Sequence, residues 1–227
     1  MFVCFTCIVS NTNHPPIRTF HARHGRMSKA RLDAIENLIP QFEITKETSP
    51  IDLHRVLNND RVIVDFGCGM GHHTRDLQPD GAGILAIDVH TPGICQVVMW
   101  AAENDWKNVR VHHGDGVTLL TETIAPGSID ELHVMFPDPW PKIRQFKRRL
   151  LQEPFLELAD RLLSANGFIL VVTDDDSYAE FIDDVIAHSQ HFERDHAQVD
   201  IPDTRYRKRA DKLAHTIHTY RLVRKML

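Results

Sequence analysis

The chain is predicted to form an α/β domain built on a mostly parallel, doubly wound sheet with helices on both faces. Short apolar runs alternate with helical patterns along most of its 227 residues, which is typical of strand–helix–strand units. A glycine-rich turn follows the first apolar run, and several later runs end in an acidic residue. In open sheets of this kind, ligands bind at the edge where the parallel strands end.

Seven strands are predicted, most of them separated by helices. The strands are expected at 62–66, 83–88, 109–113, 129–135, 168–173, 192–196 and 216–222. The helices are expected at 28–40, 94–104, 117–124, 150–163 and 177–188. The first helix has Ser28 as its N-cap and stops at Pro40, because a proline ring does not fit inside a continuing helix.

Local signals set the bounds of the last two helices. Pro154 indicates that the helix at 150–163 is either kinked or begun there. The sequence Ala165-Asn166-Gly167 is expected to end that helix, because its last residue tolerates left-handed backbone geometry. Ser177 and Glu180 have the spacing of a capping box for the helix that follows.

The composition, with 42% hydrophobic and 25% charged residues, is that of an ordinary globular protein. No apolar run approaches the roughly 20 residues that span a bilayer, so no membrane partner is expected. Residues 1–17 carry mixed polar residues and Pro15-Pro16 and are expected to form a disordered tail. A signal peptide is not expected, because the start of the chain has no positive region and no clear cleavage site. Residues 18–227 are expected to form a single domain, with a basic arm at 18–40 and a basic segment at 204–225. An isolated Cys-x-x-Cys is interpreted as incidental, and a cytoplasmic protein with reduced thiols is expected.

The net charge of −5 conceals a strong segregation of charge along the chain. The segments Arg18–Arg31, Lys142–Arg149 and Thr204–Lys225 together carry +17, and the remaining residues carry −22. If the three segments converge in the fold, they form a basic face suited to nucleic acid. The alternative is three separate solvated surfaces.

The glycine-rich turn has the spacing Asp65-x-Gly67-x-Gly69-x-Gly71. Glycines at alternate positions let the backbone turn tightly and come close to a ligand. Dinucleotide sites instead carry Gly-x-Gly-x-x-Gly, which seats a pyrophosphate on a helix N-terminus. A carboxylate would repel a pyrophosphate and attract an ammonium group. The turn therefore resembles that of Rossmann-like S-adenosylmethionine methyltransferases, with a nicotinamide enzyme as the alternative.

Two more carboxylates are expected on the same edge of the sheet. Asp88 ends the second strand, where an acid can hold two vicinal ribose hydroxyls, and Asp115 follows the third strand. The resemblance implies that Asp65 lies near the amino acid end of the cofactor, Asp88 on the ribose and Asp115 near the adenine amine.

The stretch from Phe136 to Arg149 reads Phe-Pro-Asp-Pro-Trp-Pro-Lys-Ile-Arg-Gln-Phe-Lys-Arg-Arg and has two halves. The first half places three prolines around Asp138 and Trp140, at the end of the fourth predicted strand. The prolines stiffen the loop, and Trp140 can stack on a base or pack underneath. The second half carries five cations and no acid.

With these motifs placed, the chain resembles the bacterial tRNA (guanine-N7-)-methyltransferases from Arg18 to Arg224. The resemblance is carried by the motifs at 18–29, 65–71, 88–93, 136–149, 173–180 and 204–206. It implies transfer of a methyl group from S-adenosylmethionine to N7 of a guanosine in the variable loop of tRNA.

The resemblance also implies roles for individual residues. Those expected to border the cofactor are Asp65, Gly67, Gly69, Gly71, Asp88, Asp115 and Asp138. Those expected to contact the RNA substrate are Lys142, Asp174, Thr204, Arg205, Tyr206 and Arg207. Those expected to contact the RNA backbone are Arg144, Lys147, Arg148 and Arg149.

Two positions depart from the family's pattern. Members usually have tryptophan where this chain has Asp175, and glutamate where it has Arg207. The second departure reverses a charge at an expected substrate contact, so Arg207 could grip a phosphate instead.

The chemistry of N7 methylation assigns the catalytic role to Asp138. N7 has a free lone pair, so the nucleophile needs no deprotonation and the enzyme contributes positioning and electrostatics. Alkylation leaves positive charge on the purine, and a carboxylate bonded to the guanine N–H groups would stabilise it and orient N7. The plainer interpretation of Asp138 is a turn-forming residue between prolines.

Other classes of function are weighed against this interpretation. The fifteen histidines include two adjacent pairs but no His-x-x-x-His motif, so no metal is expected. The alternatives are a methyltransferase acting on another RNA or a small molecule, and an inactive RNA-binding relative. Either a monomer or a homodimer is compatible with the sequence.

Overall fold

Seven strands form the centre of the structure, a computed structural model that describes residues 19, 27–44, 50–196 and 216–225. The strands are β1 Val62–Phe66, β2 Gly83–Asp88, β3 Val109–His113, β4 Ile129–Met135, β5 Leu163–Thr173, β6 Phe192–Asp195 and β7 His218–Arg224. All seven predicted strands are confirmed. The predicted tail at 1–17, and residues 204–215 of the predicted basic segment, lie outside the described residues.

The strands join in one sheet with the order β3-β2-β1-β4-β5-β7-β6. Strands β1 to β5 are parallel to one another, and β7 is antiparallel to both of its neighbours. The strand order reverses direction at β1, so β1 and β4 flank the point where ligands bind in such sheets. The mostly parallel sheet predicted from the sequence is confirmed.

The central strands β1 and β2 are largely apolar on both faces, because helices cover both sides of the sheet. Val62 and Val64 of β1 face one core, while Ile63 faces the other, as expected from the alternation of side chains along a strand. All three side chains are fully buried. The expected helices on both faces are therefore confirmed.

The two faces of the sheet are covered by different helices. One core includes side chains of α3 Leu53–Leu57, α6 Gly116–Glu122, α7 Glu153–Leu162 and α8 Asp176–His188. The other core includes side chains of α1 Lys29–Asn37, α2 Ile39–Phe42 and α5 Thr91–Glu103. A short helix, α4 His72–Asp76, follows the glycine turn, and 3₁₀ turns cover Gln78–Asp80 and Ile143–Arg148.

Three prolines occupy the first turns of helices, where a missing N–H costs nothing. Ser28 caps α1 as predicted, accepting the amide of Arg31, but the helix ends at Asn37 and Pro40 lies in the first turn of α2. The helix α5 begins at Thr91, earlier than the predicted residue 94, and Pro92 lies in its first turn. Pro154 lies in the first turn of α7, so that helix begins there and is not kinked.

The prediction that Ala165-Asn166-Gly167 ends a helix is wrong. The helix α7 ends at Leu162, and the tripeptide lies within β5. A Cβ on Gly167 would lie 3.0 Å from the carbonyl oxygen of Ile129, at an irregularity in the register of β4 and β5. The glycine thus permits close approach of two strands, which a local pattern does not distinguish from a helix end.

The predicted capping box at Ser177 and Glu180 is also wrong. The N-cap of α8 is Asp175, whose carboxylate accepts the amide of Tyr178 at 2.8 Å. Asp175 precedes Ser177 by two residues and presents a stronger acceptor to the same helix end. Ser177 instead accepts hydrogen bonds from Arg149 through both its carbonyl and its hydroxyl.

Tyr178 provides a test of how the loop at 149–151 is held. Its hydroxyl is buried and accepts the amides of Leu150 and Leu151 at 3.0 and 3.2 Å, and burial raises the pKa of Tyr178 to about 12. We expect Tyr178→Phe to lower the free energy of unfolding by about 2–4 kcal/mol, because each buried amide left without an acceptor costs roughly 1–3 kcal/mol. Urea unfolding measures the loss. The control Tyr220→Phe removes the bond from the Tyr220 hydroxyl to the carbonyl of Ala179 but leaves no backbone amide without an acceptor, so it should cost about half as much; equal losses would contradict the assignment.

Candidate active site

A cavity opens at the edge of the sheet where the parallel strands end. Its volume is about 230 Å³. The residues that line it come from the ends of β1, β2 and β4, from the loops that follow these strands and β3, and from Thr19 and Leu150. They are Thr19, Phe66, Gly67, Gly69, Met70, Ile87, Asp88, Val89, His90, Gly114, Asp115, Gly116, Val134, Met135, Phe136, Pro137, Asp138 and Leu150.

The glycine turn forms one wall of the cavity. Gly67, Gly69 and Gly71 have φ values of +79°, +56° and +74°, which residues with a side chain rarely adopt. The amide of Gly67 donates to the carbonyl of Ile87 at 2.8 Å, which ties the turn to β2. The three glycines are thus required by the backbone itself, and Gly71 lies behind the cavity wall.

The helix α5 packs directly on this turn through Gly93. A Cβ at this position would lie 1.6 Å from the carbonyl oxygen of Gly69, so no other residue fits. The sequence pattern Pro92-Gly93 marks a helix start, and the role of Gly93 in fixing the turn was not predicted from it. This close approach arises because β2 lies beside β1 in the sheet, so the helix that follows β2 packs on the turn that follows β1.

Asp65 is fully buried beneath the turn and does not line the cavity itself. Its Oδ2 accepts a hydrogen bond from the Thr74 hydroxyl at 2.6 Å. Its Oδ1 is buried and has no hydrogen-bond partner among the described residues. A buried carboxylate oxygen of this kind carries a desolvation cost that a bound cation would offset. The negative charge behind the turn therefore favours a cationic group, such as the ammonium of S-adenosylmethionine, on the cavity side of the turn.

Asp88 and Asp115 are held by backbone amides. Asp88 accepts the amides of Gly69 and His90, each at 2.7 Å, and burial raises its pKa although these bonds oppose the shift. Asp115 caps α6, with its Oδ1 accepting the amide of Val117 at 3.0 Å. Its Oδ2 makes no hydrogen bond within the described part of the chain. Both carboxylates line the cavity at the ends of neighbouring strands, as predicted.

The loop after β4 holds Asp138 at the mouth of the cavity. Phe136 and Trp140, on either side, have φ values of +52° and +46°, which is strained geometry for residues with large side chains. Asp138 lines the cavity and is exposed, and it makes no hydrogen bond or ion pair with the described residues. A carboxylate held in this way is accessible to a ligand.

Trp140 packs underneath the loop, the second of the two arrangements considered for it. Its exposure is 3%, and its indole N–H donates to the carbonyl of Thr19 at 3.1 Å. The guanidinium of Arg148 lies 3.7 Å from the ring centroid. The tryptophan is therefore a support for the loop and is not accessible to a base.

The cations of the basic segment divide into exposed and buried groups. Lys142, Arg144 and Lys147 are exposed, and Arg148 is half-buried. The expectation that Arg149 contacts the RNA backbone is wrong, because its exposure is 0%. Its guanidinium lies inside the protein. In the sequence Arg149 looks like the neighbouring cations, but its charge does not reach solvent.

The end of β5 places a further carboxylate on the same edge. Asp174 is half-buried there. Asp175, where family members usually carry tryptophan, is explained by its role as the N-cap of α8. The other expected substrate contacts, Thr204, Arg205, Tyr206 and Arg207, lie outside the described residues.

A buried chain of polar groups runs behind the glycine turn and was not predicted. Nε2 of His73 lies 2.9 Å from Nδ1 of His133, and Nε2 of His133 lies 2.9 Å from Oε2 of Glu131. Arg61 donates to the other oxygen of Glu131 at 2.7 Å. Burial, reinforced by His133, lowers the pKa of His73, although nearby carboxylates, Asp65 foremost, oppose the shift. The available signal was a histidine in the middle of the apolar strand β4.

Two further findings concern other ligands. Within the described ranges, no group of three or more histidine, cysteine, aspartate or glutamate side chains is arranged to hold a metal ion. No helix in the part of the chain that the structure describes is long and apolar enough to cross a membrane.

The sheet order, the glycine turn and the row of carboxylates at the strand ends define the Rossmann-like, S-adenosylmethionine-dependent methyltransferase fold. Solved structures share this fold. The aminoglycoside resistance methyltransferase NpmB1 has a TM-score of 0.54 at 18% identity, covering 76% of this chain and 91% of that one. An rRNA methylase from Streptococcus thermophilus has a TM-score of 0.50 at 16% identity, covering 77% and 92%.

Sequence comparisons show to which family of methyltransferases the chain belongs. A family model described as "Putative methyltransferase" matches residues 59–219. The tRNA (guanine-N(7)-)-methyltransferase of Nitrosomonas europaea is 34% identical over 214 residues, which cover 91% of this chain and 96% of that relative. The enzyme of the same name from Streptomyces avermitilis is 39% identical over 181 residues, covering 78% of this chain and 62% of the relative's length. The chain belongs to the tRNA (guanine-N(7)-)-methyltransferase family, as the resemblance of its motifs indicated.

The buried histidine chain predicts a pH dependence of stability. Below about pH 6.5 the unfolded chain binds a proton at His73 that the folded state resists, so the free energy of unfolding falls as the pH falls. We expect His73→Gln, which keeps a hydrogen-bonding group but does not titrate, to reduce that slope by up to about 1.4 kcal/mol per pH unit. Urea unfolding between pH 7 and pH 5 measures the slope. Identical slopes for the wild type and His73→Gln would contradict the prediction.

Proposed function

We propose that this protein transfers a methyl group from S-adenosylmethionine to N7 of a guanosine in the variable loop of tRNA, forming 7-methylguanosine. The observation that carries the proposal is the position of Asp138. Its carboxylate stands exposed at the mouth of the cavity, on a strained loop, next to a run of exposed cations. The names of the relatives support the choice of tRNA as the substrate.

The carboxylates of the strand edge hold the cofactor. S-adenosylmethionine supplies a methyl group on a sulfonium centre, which a nucleophile attacks directly. Asp65, behind the glycine turn, attracts the ammonium group through its negative charge, Asp88 accepts the ribose hydroxyls, and Asp115 accepts the adenine amine through Oδ2. The glycine turn lets the backbone approach the cofactor closely, with Gly67 and Gly69 in the cavity wall and Gly71 behind them.

Asp138 acts on the guanine base and also borders the cofactor. N7 carries a free lone pair, so no base is needed to activate the nucleophile, and positioning and electrostatics supply the rate. The carboxylate accepts the guanine N–H groups, which orients N7 and stabilises the positive charge that forms on the purine. The strained loop keeps the carboxylate in place, so little reorganisation is needed during the reaction.

The RNA lies across the carboxyl edge of the sheet. The A-form major groove, which contains N7, is too narrow for side chains, so the target guanosine must be splayed out of its stack. Lys142 and Asp174 contact the substrate, and the exposed cations at Arg144 and Lys147 contact phosphates, with Arg148 at their border.

The remaining assignments extend the proposal to residues outside the described ranges. Thr204, Arg205, Tyr206 and Arg207 complete the substrate contacts, and Arg207 grips a phosphate where relatives carry glutamate. The protein works as a monomer or a homodimer in the cytoplasm, where its tRNA substrate is found.

The proposal is tested by radiolabelled methyl transfer to unmodified tRNA, followed by nucleoside analysis for 7-methylguanosine. We expect the label in that nucleoside, and we expect Asp138→Asn to lower kcat by roughly 10²-fold or more without changing cofactor affinity, because it removes the charge that stabilises the methylated purine.

The control for Asp138 is Asp184→Asn, another exposed carboxylate, on α8. It should leave kcat within about twofold of the wild type. Label in another nucleoside would indicate a different RNA methyltransferase, and tRNA binding without label would indicate an inactive relative. Near-normal turnover of Asp138→Asn would reduce Asp138 to a turn-forming residue.

The exposed cations predict a salt dependence of tRNA binding. Each lysine or arginine that neutralises a phosphate adds roughly one unit to the slope of log K against log salt concentration. Replacing both Arg144 and Lys147 with alanine should therefore lower the slope by about 1–2. Filter binding at several salt concentrations measures it. Lys107→Ala, an exposed cation just before β3 at the opposite edge, is the control and should not change the slope. A slope unaffected by the double replacement would place the RNA elsewhere.

A further inference from the structure

The buried arginine of the basic segment connects two parts of the active-site edge. Nε of Arg149 donates to the carbonyl of Pro139 at 2.9 Å, and Pro139 directly follows Asp138. Nη1 and Nη2 donate to the carbonyl and hydroxyl of Ser177 at 3.0 and 2.9 Å. A single guanidinium thereby joins the loop after β4 to the first turn of α8, three residues beyond Asp174.

The surroundings of Arg149 show that it is built into the fold. Its guanidinium lies 3.6 Å from the ring centroid of Phe146, and about 5 Å from those of Tyr178 and Phe181. Burial lowers the pKa of Arg149. Among the described residues it makes no ion pair with a carboxylate, so carbonyls, a hydroxyl and aromatic faces replace the water that it loses. Burial of a cation without an ion-pair partner is unfavourable, so we expect its hydrogen bonds to stabilise another part of the structure.

The part that Arg149 stabilises is the loop around Asp138. Phe136 and Trp140 are held with positive φ, and such strain persists only where several contacts determine the backbone. The loop's three prolines donate no N–H, so its backbone can be anchored near Asp138 mainly through carbonyl oxygens. The bond from Arg149 to Pro139 is such an anchor. Two further anchors among the described residues use N–H donors: the amide of Phe136 donates to the carbonyl of Val172 at 2.7 Å, and the indole N–H of Trp140 donates to the carbonyl of Thr19.

We propose that Arg149 is a positioning residue for methyl transfer, which fixes Asp138 relative to the end of β5 by clamping Pro139 to Ser177. The proposal rests on the proposed function, because it acts through Asp138. It differs from the role expected from the sequence, in which Arg149 joins its neighbours on the RNA backbone. The clamp requires the planar, forked donor set of arginine, since a lysine ammonium at this site would not reach all three acceptors with the same geometry.

The test compares Arg149→Lys with the wild type in single-turnover methyl transfer and in tRNA binding. A displacement of about 1 Å at a reacting group can cost roughly 10²-fold in rate, so we expect a loss of that order in the rate constant. The Kd for tRNA, its salt slope and the Kd for cofactor should change by less than about twofold. A weaker Kd with a smaller salt slope and a normal rate would make Arg149 an RNA contact and overturn the proposal.

A double variant tests whether the arginine acts through Asp138. Asp138→Asn combined with Arg149→Lys should be no slower than Asp138→Asn alone, because the clamp has nothing left to position. Multiplicative losses would overturn the proposal. Ser177→Ala, at an exposed position, removes one acceptor from the same guanidinium and should slow the reaction severalfold, which provides a second variant if Arg149→Lys folds poorly.

Hydrogen exchange separates this proposal from the proposed function. In Arg149→Lys, the amides at 138–148 should exchange faster, whether or not tRNA is methylated. The matched control is Arg224→Lys, whose guanidinium also donates to backbone carbonyls, those of Leu163 and Ser164 at the start of β5. It should lower stability without changing the rate or the exchange of that loop. If the wild type forms no 7-methylguanosine but the loop amides of Arg149→Lys exchange faster, the proposed function is overturned and the clamp is supported. Unchanged exchange, or lost stability with a normal rate, would overturn the clamp.

Discussion

Backbone amides and a hydroxyl hold four of the carboxylates at the carboxyl edge of the sheet. Asp65 is bonded by Thr74, Asp88 by two amides of the loops beside it, and Asp115 and Asp175 by the first turns of helices. All of these donors are uncharged groups. The proposed site depends on this arrangement, because it concentrates negative charge where five parallel strands end and so favours a cationic cofactor there.

The stretch after β4 separates two tasks that the sequence places side by side. Its first half is rigid: two residues with positive φ, a buried tryptophan and the guanidinium of Arg149 hold the backbone around Asp138. Its second half presents exposed cations on a 3₁₀ turn at Ile143–Arg148. Rigid geometry suits a group that must meet the reacting base, while long exposed side chains suit phosphates, whose positions vary with the RNA.

Most of the fold and part of the site could be predicted, because they follow from local patterns. Strands buried on both faces are readable as apolar runs. The glycines at 67, 69 and 71 form the tight turn that their spacing predicted, and all three have positive φ values. The errors came where a distant element decided the outcome. Gly167 serves a neighbouring strand, Ser177 serves Arg149, and the buried pair His73 and His133 meets across two elements 60 residues apart.

The sequence by itself determined the order of strands and helices, the residues at the strand ends and the family, since periodicity and motif spacing are properties of the chain. Only the tertiary structure decided which charges reach solvent. Arg148 and Arg149 are adjacent and identical in sequence, yet one guanidinium lies over a tryptophan at the half-buried edge and the other is enclosed between Pro139 and Ser177. The physical reason is that burial depends on what packs against a side chain, and at this edge those partners come from the loop after β4 and from α8.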